Sequence, residues 1–166
     1  MLDIGSGKGG DFHKWINLKF KHIYAVDPMF DLRTHRNNIT ELRDIRLVDT
    51  LDYELVAIFF VPWNDLFLNL INKAKYFVWI CMENPTNHDC ESYTLKVTPE
   101  KVELKIPDIS TATNIIEKNI DVQNIINKLE SNGWLCEEIK VEFNKFELQD
   151  EHRLSQMYSY FFFQKI

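Results

Sequence analysis

The sequence predicts an α/β domain built on a mostly parallel sheet, and three observations predict it. A glycine-rich turn, Gly5-Ser6-Gly7-Lys8-Gly9-Gly10-Asp11, follows a short apolar strand at Leu2 to Ile4. Short apolar runs then alternate with stretches of helical spacing as far as Met82, the β-α rhythm of a parallel sheet with helices on both faces. Finally, the last two apolar runs have no helix between them, which requires an antiparallel pair.

Taken in order, Phe12, Trp15 and Ile16 recur at helical spacing after the turn, with Asp11 placed to complement the positive end of that helix. His22 to Val26 reads as a strand stopped by Asp27-Pro28, Phe30 to Leu42 as an amphipathic helix, and Ile45 to Val48 as a third strand closing at Asp49. Leu55 to Val61 is a continuous apolar run, expected of a central strand buried on both faces. Leu66, Phe67, Leu70 and Ile71 return to helical spacing, and Tyr76 to Met82 is a further buried strand.

The rhythm then changes. Tyr93 to Val97 and Val102 to Ile106 alternate around the turn Thr98 to Lys101, so residues 91–106 read as an inserted hairpin. Val122, Ile125, Ile126 and Leu129 mark a helix with Asp121 at its start and Gly133 past its end. Trp134 to Phe143 and Met157 to Gln164 are the closing strands. Residues 1–166 are read as one domain, with the first strand cut to a stump as in a fragment of a longer protein.

Composition narrows the function. A net charge of −6 argues against a broad, charge-driven grip on nucleic acid and leaves room only for a focused basic patch. Cys81, Cys90 and Cys136 have neither CxxC spacing nor a nearby histidine partner, so no metal site or disulfide framework is expected and a reducing compartment fits. No apolar run is long enough to span a membrane, and no signal-peptide pattern opens the chain. Cytoplasmic placement is expected, with the nucleus as the alternative. The five histidines are scattered and read as surface residues.

Gly5, Gly7 and Gly10 satisfy G-x-G-x-x-G, the spacing that turns a strand sharply and brings bare backbone against a nucleotide-like ligand. Asp27 lies twenty residues beyond Gly7, where the ribose-binding acid of such folds stands. A nicotinamide dehydrogenase shares both features and remains a rival on spacing alone.

The stretch Leu2-Asp3-Ile4-Gly5-Ser6-Gly7-Lys8-Gly9-Gly10-Asp11, with Lys14-Trp15 after it, resembles the first motif of the mRNA cap (guanine-N7) methyltransferases. Ala74 to Phe77 resembles that family's fifth strand, Glu91 to Thr94 the start of its inserted hairpin, and Met157 to Lys165 its terminal strand. The resemblance implies a Rossmann-like fold of the S-adenosylmethionine (SAM)-dependent methyltransferases, SAM as cofactor, and the capped 5′ end of RNA as substrate. It further implies other capping-enzyme domains or subunits as partners, as in viral capping enzymes; the richness in Asn, Ile, Lys and Phe suits an AT-rich viral or plasmid gene.

Carried over position by position, Asp3, Gly5, Ser6, Gly7 and Asp11 would border the methionine part of SAM. Asp27 with Pro28 would take the ribose, Asp49 and Thr50 would sit by the adenine, and Phe60 would close the cofactor set. Lys8 would reach toward the cap, Tyr158 would line the guanine pocket, and Glu117 would recognise the guanine edge. The family's His-Tyr pair after the fourth strand is replaced here by Phe60-Val61-Pro62-Trp63-Asn64, so Trp63 is the candidate to stack on guanine. On composition alone Trp63 and Tyr158 read equally as core aromatics.

No residue is assigned a covalent or acid-base role, because N7 of guanine attacks through an unprotonated lone pair; proximity and orientation suffice. Methylation of the cap ribose 2′-hydroxyl is the nearest alternative, although the lysine-centred tetrad it uses has no placement in this sequence. A non-catalytic scaffold of a capping complex is the third.

Overall fold

The structure, a computed structural model, describes residues 1–7, 9–28, 38–48, 51–91, 93–106, 115–139, 154 and 156–166. The parallel part of the main sheet is assembled from Leu2–Ile4 (β1), Ile23–Val26 (β2), Ile39–Leu42 (β3), Tyr53–Phe59 (β4) and Ala74–Met82 (β5), which pair with one another only in parallel. Phe12–Asn17 (α1) links β1 to β2, and Leu66–Ile71 (α2) links β4 to β5. A second, antiparallel sheet follows, of His88–Asp89 (β6), Thr94–Val97 (β7), Lys101–Lys105 (β8) and Ile115–Lys118 (β9). The chain returns to the main sheet through Val122–Ser131 (α3), Trp134–Glu138 (β10) and Tyr158–Lys165 (β11).

The described main-sheet order is β10-β11-β5-β4-β1-β2-β3, which puts β4 at the centre as its apolar run requires. The last strand, β11, inserts between β5 and β10 and is antiparallel to both. It alone runs against the others. Aromatic pairs set its register: Phe163 lies opposite Phe77 with ring centroids 5.1 Å apart, and Phe161 opposite Trp79 at 5.8 Å.

Side-chain alternation divides the core between the two faces of the sheet. Leu2, Ile4, Val56, Ile58, Phe77, Trp79, Phe161 and Phe163 pack beneath α2 and α3, whose inner faces are Phe67, Leu70, Ile71, Val122, Ile125, Ile126 and Leu129. On the other face α1 lowers Phe12 and Trp15 onto Ile23, Ala25 and Ala57. Asp121 caps α3, its carboxylate accepting from the Asn124 amide at 3.0 Å, and Gly133 follows the helix end.

Two expected elements are corrected. Residues 30–37 of the helix expected over Phe30 to Leu42 lie outside the described residues, but its last part is the strand β3, where β-branched Ile39 and Thr40 pair with Ile23 and Tyr24. Ile45–Val48, expected as the third strand, is instead a turn of 3₁₀ helix. Asp44 dictates this by accepting from the Arg46 amide at 3.0 Å, a local bond that competes with strand pairing. The expected hairpin over 91–106 is present as β7 and β8 and grows on both sides, with β6 and β9 completing four strands. The inner face of this small sheet, Tyr93, Leu95, Val102 and Leu104, meets Met82 and Met157 at the end of the main sheet. Residues 140–143 of the strand expected over Trp134 to Phe143 lie outside the described residues.

Candidate active site

Parallel strands present their C-terminal ends along one edge, and there the chain places its glycine turn. The Gly5 amide donates to the carbonyl of Val26 at 2.8 Å, and the Asp27 amide to that of Leu42 at 2.9 Å. The turn then folds over the end of β2: the Gly7 amide donates to Oδ2 of Asp27 at 2.9 Å. The twenty-residue spacing seen in the sequence is therefore a direct contact in space.

Gly5 has φ +81°, and a Cβ there would stand 1.9 Å from the Val61 side chain, so only glycine fits where the loop crosses the end of β4. The second strict position is Gly9, φ +78°, where a Cβ would fall 2.5 Å from the Phe12 ring. That role was expected at Gly10, which is unobstructed. Above Gly7 nothing lies within 4 Å of where a side chain would begin, so its backbone faces open space.

Asp3 is the buried charge of the site, 2% exposed in the middle of β1. Alternation turns it toward α1, where the Trp15 indole N–H donates to its Oδ2 at 2.8 Å; Ser6 Oγ donates to its backbone carbonyl at 2.9 Å. Burial pushes its carboxyl up to about 6, and the nearby carboxylates of Asp11 and Asp27 push the same way against the Trp15 bond. Trp15, read from sequence as a helix-face aromatic and as the end of the first motif, is thus also the partner of this acid. Asp11 precedes α1 but does not cap it; its Oδ1 pairs with Lys14 Nζ at 2.5 Å on the surface. Three acids gather around one glycine turn, with one of them paired to a lysine.

A second group stands past the ends of β4 and β5. Phe60 takes φ +56°, a conformation strained for a bulky residue, and its ring is 53% exposed. It meets the Tyr158 ring edge-on at 5.0 Å. Glu117, half-buried on β9, is held above its ordinary pKa by burial. Tyr158 packs on the cluster that includes Val102, and Glu117 stands opposite Val102 in the ladder; burial first and the Glu117 charge second raise the Tyr158 hydroxyl. Beside them Ser159 Oγ donates to Glu83 Oε2 at 2.5 Å, and the Glu83 amide to the carbonyl of Met157 at 2.8 Å. Nothing in the sequence pattern marks Glu83. Cys81, buried nearby, has its thiol pushed well up by burial and by the charges of Glu83 and Glu117, so it is a packing residue.

The structure therefore brings together Asp3, Gly5, Ser6, Gly7, Asp11 and Asp27 in one group, and Phe60, Glu117 and Tyr158 in another. Pro28 is exposed at the end of β2. Trp63 is half-buried and turns inward, with ring centroids 5.0 Å from Trp79, 5.8 Å from Phe67 and 6.5 Å from Phe77. Phe60, rather than Trp63, is the ring beside Tyr158. Lys8, Asp49 and Thr50 lie outside the described residues. Among the described residues no cluster of His, Cys, Asp and Glu could hold a metal ion, and no helix is long and apolar enough to cross a membrane.

No protein-family profile matches the chain. It is 46% identical over 168 residues to a protein of Kluyveromyces lactis named "Uncharacterized killer plasmid pGKl-2 protein 3"; the match covers 99% of this chain and 28% of that protein. Among solved structures it is similar to a putative SAM-dependent methyltransferase from Listeria monocytogenes, at TM-score 0.60 and 12% identity over 99% of this chain and 90% of the other. A SAM-dependent methyltransferase from Mesorhizobium loti gives TM-score 0.58 and 14% identity over 99% and 89%. The 1,6-didemethyltoxoflavin-N1-methyltransferase of Burkholderia thailandensis, solved with S-adenosylhomocysteine, gives TM-score 0.54 and 12% identity over 99% and 69%. The strand order, the glycine turn joined to Asp27 and these likenesses agree: the chain has the Rossmann-like fold of the SAM-dependent methyltransferases.

Proposed function

We propose that this protein binds SAM and transfers its methyl group to N7 of the guanine of the 5′ mRNA cap. The observation that carries the reading is that two groups meet where the glycine turn crosses the chain at Phe60, a Cβ on Gly5 standing 1.9 Å from the Val61 side chain and 3.3 Å from the Phe59 carbonyl. One is the glycine turn ringed by Asp3, Asp11 and Asp27, and the other is Glu117 with the aromatic pair Phe60 and Tyr158.

Electrostatics favour SAM over a dinucleotide. SAM carries a sulfonium and an ammonium, whereas a pyrophosphate would meet three carboxylates at the turn. The residues fit the cofactor: open backbone at Gly7, Asp27 at the end of β2 for the ribose, and a buried Asp3 whose ionisation a nearby cation would favour. Asp3, Gly5, Ser6, Gly7 and Asp11 would hold the methionine end, and Phe60 would flank it. Bound SAM supplies a methyl already activated by the positive sulfur.

Glu117 would accept from the N1–H and amino edge of guanine, a charged hydrogen bond whose loss costs about 1.5 to 3 kcal/mol. Tyr158 and Phe60 would hold the base plane, gaining as guanine becomes cationic on methylation. The N7–carbon bond forms as the sulfur–carbon bond breaks, and no proton leaves N7. No general base is needed, so rate comes from aligning nitrogen, methyl and sulfur, an effect on the order of 7 to 11 kcal/mol. The killer plasmid relative, of which this chain spans 28%, is long enough to carry the further capping-enzyme domains that this reading calls for. Methyl transfer from labelled SAM to the cap dinucleotide GpppG tests the reading, with 7-methylguanosine the expected product.

A further inference from the structure

We infer that the outer face of the small four-stranded sheet is a binding surface for the phosphate backbone of single-stranded RNA. Alternation along the strands sends Lys96, Lys101, Lys105 and Lys118 outward, all exposed, against two acids among the described residues of that face, Asp89 and Glu103. This is notable in a chain with 25 acidic and 19 basic residues. A groove of about 370 Å³ runs among Asp89, Thr94, Lys96, Glu103 and Lys105.

The acids on this face are already engaged. Asp89 Oδ1 accepts from Thr94 Oγ1 at 2.7 Å, and Glu103 pairs with Lys101, whose hydrogen bond first and charge second, with the charge of Lys96, hold its carboxyl below the ordinary range. Lys105 and Lys118 have no ion pair among the described residues. In the ladder Lys101 stands directly opposite Lys118; Glu103 neutralises Lys101, which leaves Lys118 as the uncompensated cation of the two among the described residues. Ile116, 55% exposed beside Glu103, adds an apolar contact in the same row.

The position of β9 argues for RNA over other polyanions. Among the described residues β9 is an edge strand: Glu117 points inward with Val102, while Ile116 and Lys118 point out. A nucleotide chain whose terminal guanine lies against Glu117 has only to round that edge to reach the lysines. The inference rests on the cap-directed reading for why RNA comes to this edge.

Fluorescence anisotropy with a labelled, GpppG-capped 20-nucleotide RNA tests it, using wild type, a triple Lys96→Glu/Lys105→Glu/Lys118→Glu variant and the matching triple Arg variant. Each lysine contact contributes about −0.7 to the slope of log affinity against log salt. The Glu variant is expected to lose at least tenfold in affinity and flatten that slope by about 2, while the Arg variant binds as wild type. Methylation of the dinucleotide GpppG, too short to cross the edge, stays unchanged in both. Equal RNA binding by all three proteins overturns the inference, as does tighter binding of a glutamate-rich peptide than of RNA to the same lysines. If GpppG is not methylated by any of them while the Glu variant still loses RNA, the surface stands and the methylation reading falls.

Discussion

Replacing Asp3 by Asn separates what this carboxylate does for folding from what it does for the ligand. Its pKa rises from 3.8 to about 6 on folding, chiefly because β1 and α1 take it out of water. At about 1.4 kcal/mol per unit, that shift is roughly 3 kcal/mol. The sign follows from the raised value: the favourable contribution is complete below the unfolded pKa and is lost as pH climbs through the folded one. Wild type should therefore lose roughly 3 kcal/mol from this group between about pH 4 and pH 8. Asn keeps an acceptor for the Trp15 indole N–H and carries no charge to bury. Urea denaturation across this pH range should show Asp3→Asn more stable than wild type by about 2 to 3 kcal/mol at pH 8, with the gap closing by about pH 4. SAM affinity, measured by calorimetry, should fall at least tenfold, so that stability and binding move in opposite directions. A stability gap that does not change with pH, or a variant no more stable at pH 8, would refute the argument that a buried charge is held here against its own solvation.

Gly5→Ala should destabilise by about 2 to 4 kcal/mol in thermal or urea melts, because positive φ and the Val61 contact both oppose a Cβ; Gly7→Ala, with the strain of φ +53° but open space above it, should cost less than Gly5→Ala. Asp27→Ala should weaken SAM binding by at least 100-fold in calorimetry if the proposed charge-assisted hydrogen bonds to the ribose are made, while Tm moves by only a few degrees, since the bond it also removes, from the Gly7 amide, is exposed. Glu117→Gln should leave SAM affinity intact and raise KM for GpppG about tenfold or more; equal loss of SAM binding would break the division of roles. Phe163→Ala should cost about 3 to 5 kcal/mol in unfolding free energy, because it empties a fully buried ring site against Phe77.

The strands and helices with strong periodicity were legible because burial on one or both faces writes itself into residue spacing. The runs at Leu55 to Val61, of which the strand ends at Phe59 before the positive φ of Phe60, and at Tyr76 to Met82, and the α3 face from Val122 to Leu129, belong to this class; the Gly7–Asp27 relation was legible from motif spacing. What escaped was decided by single contacts. One Asp44 carboxylate turned Ile45 to Val48 into a 3₁₀ turn, and the strand was instead the earlier stretch Ile39 to Leu42. Four residues from Ile115 to Lys118, of which two are apolar, are too few to show a period, so the strand carrying Glu117 was not foreseen. In the site, glycine spacing suggested Gly10 where the Phe12 ring makes Gly9 the strict position. The Trp15 bond to Asp3 and the Glu83 bond to Ser159 join residues 12 and 76 positions apart, relations that only the packed sheet creates. Trp63 and Phe60 sit three residues apart after β4, and the backbone at Phe60 decides which of the two rings meets Tyr158.

The most direct measurement is methyl transfer from labelled SAM to GpppG-capped RNA, followed by nuclease digestion and separation of the nucleosides. Label recovered as 7-methylguanosine, with loss of that product in Asp27→Ala, is the predicted result. Label found on the ribose, or no transfer from a protein that binds SAM and capped RNA, would contradict it.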